Sequence, residues 1–354
     1  MVDLREAFRR IARRVARFVA IAATISCGYP FPTPYEADRG VYSEFLAFAD
    51  VEIEMPTLAA HETELYLAIT PDDIGTGALE SVLSAARREG VPVRAWLLLA
   101  DADGYWPSEQ NLAAFREHVD EFWRWNRRND LGVTRILVDM EPPLDVSNEL
   151  AAAIESGQLA DAIPVLLANR DAEAFAAAQA DWADAVDEWH EAGMLVDAVA
   201  LPHVLDDYGD DDLDIHDMFD SPIDGVEWDE LGFLVYQNLY GMPDARLGPD
   251  LVQSYGRTAR ERHGAITSVA LGTIGDIGKN TSSIGYADVE SLRADVGAAA
   301  AAGLERVQLF SLDGMREQGG SALWLDDLEL APIEVEPTQA VQQARAAVAA
   351  LDGL

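Results

Sequence analysis

Cysteine is almost absent from this 354-residue sequence: Cys27 stands alone, which excludes an intrachain disulfide and any cysteine-based zinc site. Lysine is as scarce, since Lys279 is the only one among 25 basic residues. Histidine occurs at positions 61, 118, 190, 203, 216 and 263, and no two of these stand in an H-E-x-x-H or related ligand spacing. A histidine metal centre is therefore not expected and no metal or cofactor is assigned, although a carboxylate site for a hard cation stays open. Neither a G-x-G-x-x-G nor a P-loop is present, which removes the usual nucleotide cradles. No repeat of fixed period is found.

What is abundant is acid. Aspartate and glutamate number 63, for a formal net charge of −38, and they are scattered along helical stretches rather than gathered in a tail. Such a surface suits very high salt, where self-repulsion is screened, and the reading is a halophilic protein. Steering of a cationic ligand is the lesser alternative, because the same salt would screen it. The sign of the charge disfavours nucleic acid as a partner. With 49% hydrophobic residues the chain can still bury a substantial core.

Residues 1–28 differ from the rest. Arg5, Arg9, Arg10, Arg13, Arg14 and Arg17 precede the apolar run Phe18-Val-Ala-Ile-Ala-Ala-Thr-Ile25, a basic segment and a short hydrophobic one in the order of an export signal. The run is too short to span a bilayer unaided. Export or membrane association through residues 1–28 is set slightly above a cytoplasmic location, against an amphipathic helix that docks on the domain. Pro30, Pro32 and Pro34 make a stiff linker, so residues 1–45 are read as leader and linker, 46–335 as one domain and 336–354 as a closing helix packed on it.

From there strand-like runs alternate with helical ones. Strands are predicted near 50–55, 64–70, 92–100, 133–141, 195–203, 231–239, 265–273 and 306–312, mostly as continuous apolar runs of the kind parallel strands buried on both faces show. Helical periodicity fills 76–89, 109–129, 147–193, 248–263, 286–302 and 337–352. This alternation predicts a (β/α)8 TIM barrel, irregular at its first βα unit because 56–63 leaves no room for a helix. A doubly wound open sheet is the alternative.

The fourth run, Val133-Thr-Arg-Ile-Leu-Val-Asp-Met-Glu-Pro-Pro143, carries two acids at its carboxyl end. At period two, Leu137, Asp139 and Glu141 share one face, and the two prolines stop the strand at the rim where barrels place their chemistry. Around that rim the same reading places Tyr105 and Trp106 after strand three, as exposed rings on which a sugar could stack, and His203 after strand five. Tyr236, Gln237 and Asn238 end strand six, and Asp313 ends strand eight. These are the candidate substrate contacts, with carbohydrate as the partner.

The D-x-E of strand four, Val-Tyr-Gln on strand six and Leu-Phe-Ser-Leu-Asp on strand eight resemble the chitinase-like glycoside hydrolases of family 18. The resemblance implies Glu141 as proton donor, Asp139 as the acid that orients the substrate's acetamido group, and Tyr236 as its hydrogen-bonding partner. Thr134, Leu137, Gln237 and Phe310 depart from the family's pattern. Two residues along a strand separate Cα atoms by about 6.6 Å, which lets the carboxyl groups approach the roughly 5 Å of retaining enzymes from one side of the sugar. Glycosidic cleavage by acid/base catalysis, substrate-assisted and retaining, follows as the expected function. A carbohydrate-binding barrel without catalysis and a divalent-metal lyase or phosphodiesterase on the same acids are the alternatives, and a salt bridge to Arg94 or Arg135 is the purely structural role for the pair.

Overall fold

The computed structural model describes residues 37–155, 162–208, 212–236, 247–275 and 285–352; the leader and the proline-rich linker lie outside them. Eight parallel strands, β1 (Arg39–Ser43), β2 (Glu64–Ile69), β3 (Val93–Leu97), β4 (Arg135–Met140), β5 (Leu195–Ala200), β6 (Glu230–Leu234), β7 (Thr267–Gly272) and β8 (Val307–Phe310), pair in sequence order. β8 returns to β1, so the sheet closes into a (β/α)8 barrel. Helices α1 (Phe48–Ala60), α2 (Gly77–Glu89), α3 (Leu112–Arg128), α4 (Leu144–Glu155), α5 (Ala162–Asn169), α6 (Ala172–Glu191), α7 (Asp214–Met218), α8 (Pro249–His263), α9 (Val289–Ala301), α10 (Leu312–Glu317), α11 (Ser321–Leu325) and α12 (Gln339–Ala349) follow in order.

The first strand is not where the alternating Val51-Glu-Ile-Glu-Met55 predicts it. That stretch lies in α1, which buries Val51, Met55 and Leu58 at spacings of four and three while Ile53 remains 66% exposed. A strand would have put Val51, Ile53 and Met55 on one face; the helix needs only two of them and takes Leu58 instead. The barrel begins at Arg39, inside the stretch read as linker, and the first βα unit is complete.

Side-chain parity sorts the core into two layers. Val41, Leu65, Leu67, Ile136, Val138, Met140, Val196, Phe233, Val269 and Leu309 face outward to the helices. Tyr42, Tyr66, Trp96, Leu137, Val199, Leu234, Ala270 and Phe310 fill the barrel interior. The helices cover the outer layer with one face each: in α6, Trp182, Ala185, Val186 and Trp189 are buried while Asp181, Asp184, Asp187 and Glu188 are exposed. Inside, large rings need small neighbours. A Cβ on Gly40 would stand 1.8 Å from the Tyr66 ring, so that ring occupies the space only because position 40 is glycine.

The amino-terminal floor of the barrel is an ion network. Buried Arg94 reaches Glu64 at 2.9 Å, Asp197 at 2.6 Å and Glu230 at 2.8 Å; Arg135 also holds Asp197 at 2.6 Å, and Arg306 holds Glu64 at 2.8 Å and Glu230 at 3.1 Å. Glu64, Asp197 and Glu230 are thus matched by three guanidinium groups, which is what permits charge at this depth. At the other side α12 buries Val341 and Ala344, and Arg345 contacts Asp206 at 2.5 Å and lies over the Tyr255 ring at 4.3 Å.

Candidate active site

β4 brings Asp139 to the carboxyl end of the barrel on the interior face, the parity it shares with Leu137. Glu141 stands one step past the strand's last residue, its N–H bonded to the Pro107 carbonyl at 3.3 Å, and Leu144 N–H bonds Gly104 O at 3.0 Å. The prolines that end the strand thereby lean on the loop that follows β3. Asp139 is 3% exposed and its Oδ1 has no hydrogen-bond partner. Among the described residues neither Asp139 nor Glu141 has an arginine, lysine or histidine within ion-pair distance: Arg94 and Arg135, the partners considered for a structural role, are committed to the floor of the barrel.

A third carboxylate, which the sequence reading missed, joins them. Glu44 follows β1 with the inward parity of Tyr42, and it accepts a 2.5 Å hydrogen bond from the Tyr105 hydroxyl. Its backbone is fixed from the far end of the chain. Asp313 accepts the N–H groups of Glu44 at 3.3 Å, Phe45 at 2.6 Å and Leu46 at 2.8 Å. The signal was present in the sequence, since Gly-Val-Tyr-Ser-Glu44 ends in an acid one residue past the strand, as β4 does in outline. The misplaced first strand concealed it.

Burial and mutual repulsion set the electrostatics. Glu141 is pushed from 4.5 up to about 8, first by burial and then by the Glu44 charge, while a hydrogen bond with Asp139 acts the other way. Asp139 is raised as well, by burial first, then by Glu141 and Glu44, with the Trp96 indole opposing. Spacing alone names Asp139 as the like charge that lifts Glu141; in the folded protein that part falls to Glu44. Burial, followed by Asp139, Glu141 and Glu44, raises the Tyr236 hydroxyl, so the tyrosine from β6 shares the site. A Cβ at Gly272 would lie 2.8 Å from the Tyr236 ring, which seats the ring against β7, and Phe310 lies 5.7 Å from it.

The remaining candidates separate. Tyr105 and Trp106 are not exposed rings: they are 5% and 7% accessible and pack edge to face at 5.0 Å. Their loop folds back, with Tyr105 at a φ of +64°, because Leu99 N–H bonds Tyr105 O at 2.8 Å and Asn111 Nδ2 bonds Trp106 O at 2.8 Å. Among the described residues, the exposed ring at this rim is Phe45, 47% accessible. His203 stacks on Phe219 at 5.1 Å and burial pushes its pKa down to about 4, which leaves it neutral at pH 7. Asp313 is 2% exposed and occupied by the β1 loop rather than open to a substrate. Gln237 and Asn238 lie outside the described residues. Other strand-end acids also serve the fold: Asp206 receives the Tyr255 hydroxyl at 2.6 Å, and Asp207 binds His216 Nδ1 at 2.5 Å and two backbone N–H groups. Asp207, Asp212 and Asp352 bring carboxylate oxygens within 4.8 Å of one another, close enough to share a cation.

No family model matches the chain and no curated protein does. Among solved structures it is similar to a class V chitinase from Nicotiana tobaccum, at 12% identity over 83% of this chain and 99% of that one, with a TM-score of 0.46. It is also similar to an L-ribulose 3-epimerase, at 15% identity over 89% of this chain and 93% of that one, with a TM-score of 0.43. The chain spans 41% of a xylose isomerase-like TIM barrel/4-hydroxyphenylpyruvate dioxygenase fusion protein, at 10% identity over 88% of its own length and a TM-score of 0.40. At these identities the likeness shows the barrel fold alone, which hosts many chemistries.

Proposed function

We propose that this barrel is a carbohydrate-active enzyme of the glycoside hydrolase type, with Glu141 as its general acid. The observation that carries the reading is the pair of acids, Asp139 buried on the interior face and half-buried Glu141 just past the strand, raised above the usual carboxylate range at the carboxyl mouth of the barrel with no cation from the described residues beside them. Two such groups at the end of one strand are costly to the fold unless they are used. A pKa of about 8 keeps Glu141 protonated at neutral pH, the state from which it can protonate a departing glycosidic oxygen. As the leaving oxygen departs with that proton, the substrate's own acetamido carbonyl bonds to the anomeric carbon, and the Glu141 carboxylate is then the base for the water that opens this intermediate. Asp139, its pKa raised by burial and by the neighbouring acids, stands beside it, Tyr236 offers a hydroxyl to the assisting carbonyl, and Phe45 offers a half-exposed ring to a pyranose. The D-x-E and tyrosine shared with family 18 support the same assignment.

Turnover of a panel of oligosaccharides by wild type and Glu141→Gln tests it. The amide fills the same volume and cannot deliver a proton, so kcat should fall by about 10²–10⁴ with KM little changed. A wild-type protein that retains these oligosaccharides without cleaving any, or a Glu141→Gln variant with near-normal kcat, would overturn the assignment.

A further inference from the structure

Tyr105 does not present its ring to a sugar, since the ring is buried against Trp106. What it holds is Glu44. Its hydroxyl donates to Glu44 Oε1 at 2.5 Å, the length of a charge-assisted bond, and burial followed by the Glu44 charge keeps the phenol protonated as a donor. The backbone is bent to make this contact. Tyr105 has a φ of +64° directly after Gly104 at +103°, a left-handed conformation that glycine adopts freely and tyrosine only at a cost. Packing alone does not call for the oxygen, because a phenylalanine ring fills the same space against Trp106.

The loop that carries Tyr105 is tied to the end of β4 on both sides of it. Gly104 O accepts Leu144 N–H at 3.0 Å, and Pro107 O accepts Glu141 N–H at 3.3 Å. The Glu44 carboxylate is therefore bound to a segment whose carbonyls hold the backbone of Glu141 and Leu144, while its own N–H is held by Asp313 at 3.3 Å. Glu44 is half-buried, so a side chain released from this bond has water to turn to.

Resting on the glycoside hydrolase reading, we infer that Tyr105 is a positioning residue for the general acid: its hydroxyl keeps the Glu44 carboxylate turned into the barrel mouth, towards Glu141, instead of out to water. The influence of Glu44 on Glu141 depends on that orientation. A like charge held in a water-poor mouth opposes ionisation of its neighbour, and the same charge swung into water is screened. After burial, Glu44 is the charge that raises Glu141. Tyr105 thus acts on the reaction through Glu44, without touching the substrate, by keeping Glu141 protonated at neutral pH.

Carbon-13 NMR titration of the glutamate carboxyl groups tests this without a substrate, the Glu141 resonance being identified by its loss in Glu141→Gln. In Tyr105→Phe, Glu141 should titrate about one unit below the wild-type value of about 8, as it should in Glu44→Gln. The double variant should go no lower than Glu44→Gln alone, because both substitutions act through one carboxylate. Glu44→Asp keeps the charge but shortens its reach by one methylene, so Glu141 should titrate lower there too. An unmoved Glu141 in Tyr105→Phe overturns the inference even if that variant is less stable, because a purely structural hydroxyl leaves the titration alone. If Tyr105→Phe does not fold, an unmoved Glu141 in Glu44→Asp overturns it instead. A double variant shifted by the sum of the two single shifts does the same, since independent effects add. Turnover separates the two readings. With the hydrolase in place, kcat of Tyr105→Phe should fall about fivefold at pH 8 and stay within about twofold at pH 6. Wild-type protein that cleaves no oligosaccharide, while Tyr105→Phe still lowers the Glu141 titration, removes the hydrolase and keeps the positioning role; cleavage with an unmoved Glu141 does the reverse.

Discussion

At the scale of single residues, Glu141 carries a consequence for stability that does not depend on any substrate. Its pKa rises from 4.5 to about 8 on folding, so between those values the native state binds the extra proton. Stability from this group is full below the unfolded pKa and is lost as pH rises through about 8. One proton is worth at most about 1.4 kcal/mol per pH unit. Urea midpoints of wild type should therefore fall between pH 5 and pH 8.5 more steeply than those of Glu141→Gln; parallel slopes would show that Glu141 titrates normally. Glu109, also raised to about 8 by burial and by Asp220, Asp217 and Asp171, contributes to both proteins and cancels in the comparison. Period-two reasoning was enough to place Asp139 and Glu141, because their parity follows from the backbone alone. The burial of Tyr105 and Trp106 was not legible, since it depends on a loop turning back through Gly104 and on hydrogen bonds to residues up to 111.

Among the elements, the contact between α10 and the loop after β1 matters most to the site. Asp313 sits in the first turn of α10, and its two oxygens receive three consecutive N–H groups from residues 44–46. Asp313→Ala should cost about 1.5–3 kcal/mol, the range for hydrogen bonds to a charged group, and should speed hydrogen exchange at the amides of Phe45 and Leu46. Unchanged exchange at those two amides would mean that the loop is held by something else. This arrangement also explains which elements could be read in the sequence. β2 through β8 announce themselves as apolar runs between periodic helices. β1, Arg39-Gly-Val-Tyr-Ser43, has only Val41 and Tyr42 as large apolar residues and carries its glycine to make room for Tyr66, so it lacks the apolar run that marks the others. The more strand-like Val51-Glu-Ile-Glu-Met55 is a helix because its neighbour Leu58 completes a buried stripe.

For the whole molecule, a net charge of −38 on a barrel of this size makes the surface repel itself. The exposed acids of α6 show how the load is carried, on the faces opposite the tryptophans that hold the helix down. The thermal midpoint should rise between low and molar salt as the repulsion is screened, and a midpoint that does not rise would leave the acidity without this role. Closure of the barrel has a sharper consequence, because it brings the charge of Glu44, one residue past the first strand, to bear on Glu141, nearly a hundred residues later. The pH dependence of kcat tests that meeting and the identity of the acid together. A general acid must be protonated, so the rate should decline on the alkaline side near pH 8, the value to which burial and Glu44 raise Glu141. In Glu44→Gln, with that charge gone, the decline should move to lower pH. A wild-type profile with no alkaline decline, or one that Glu44→Gln leaves in place, would contradict the account.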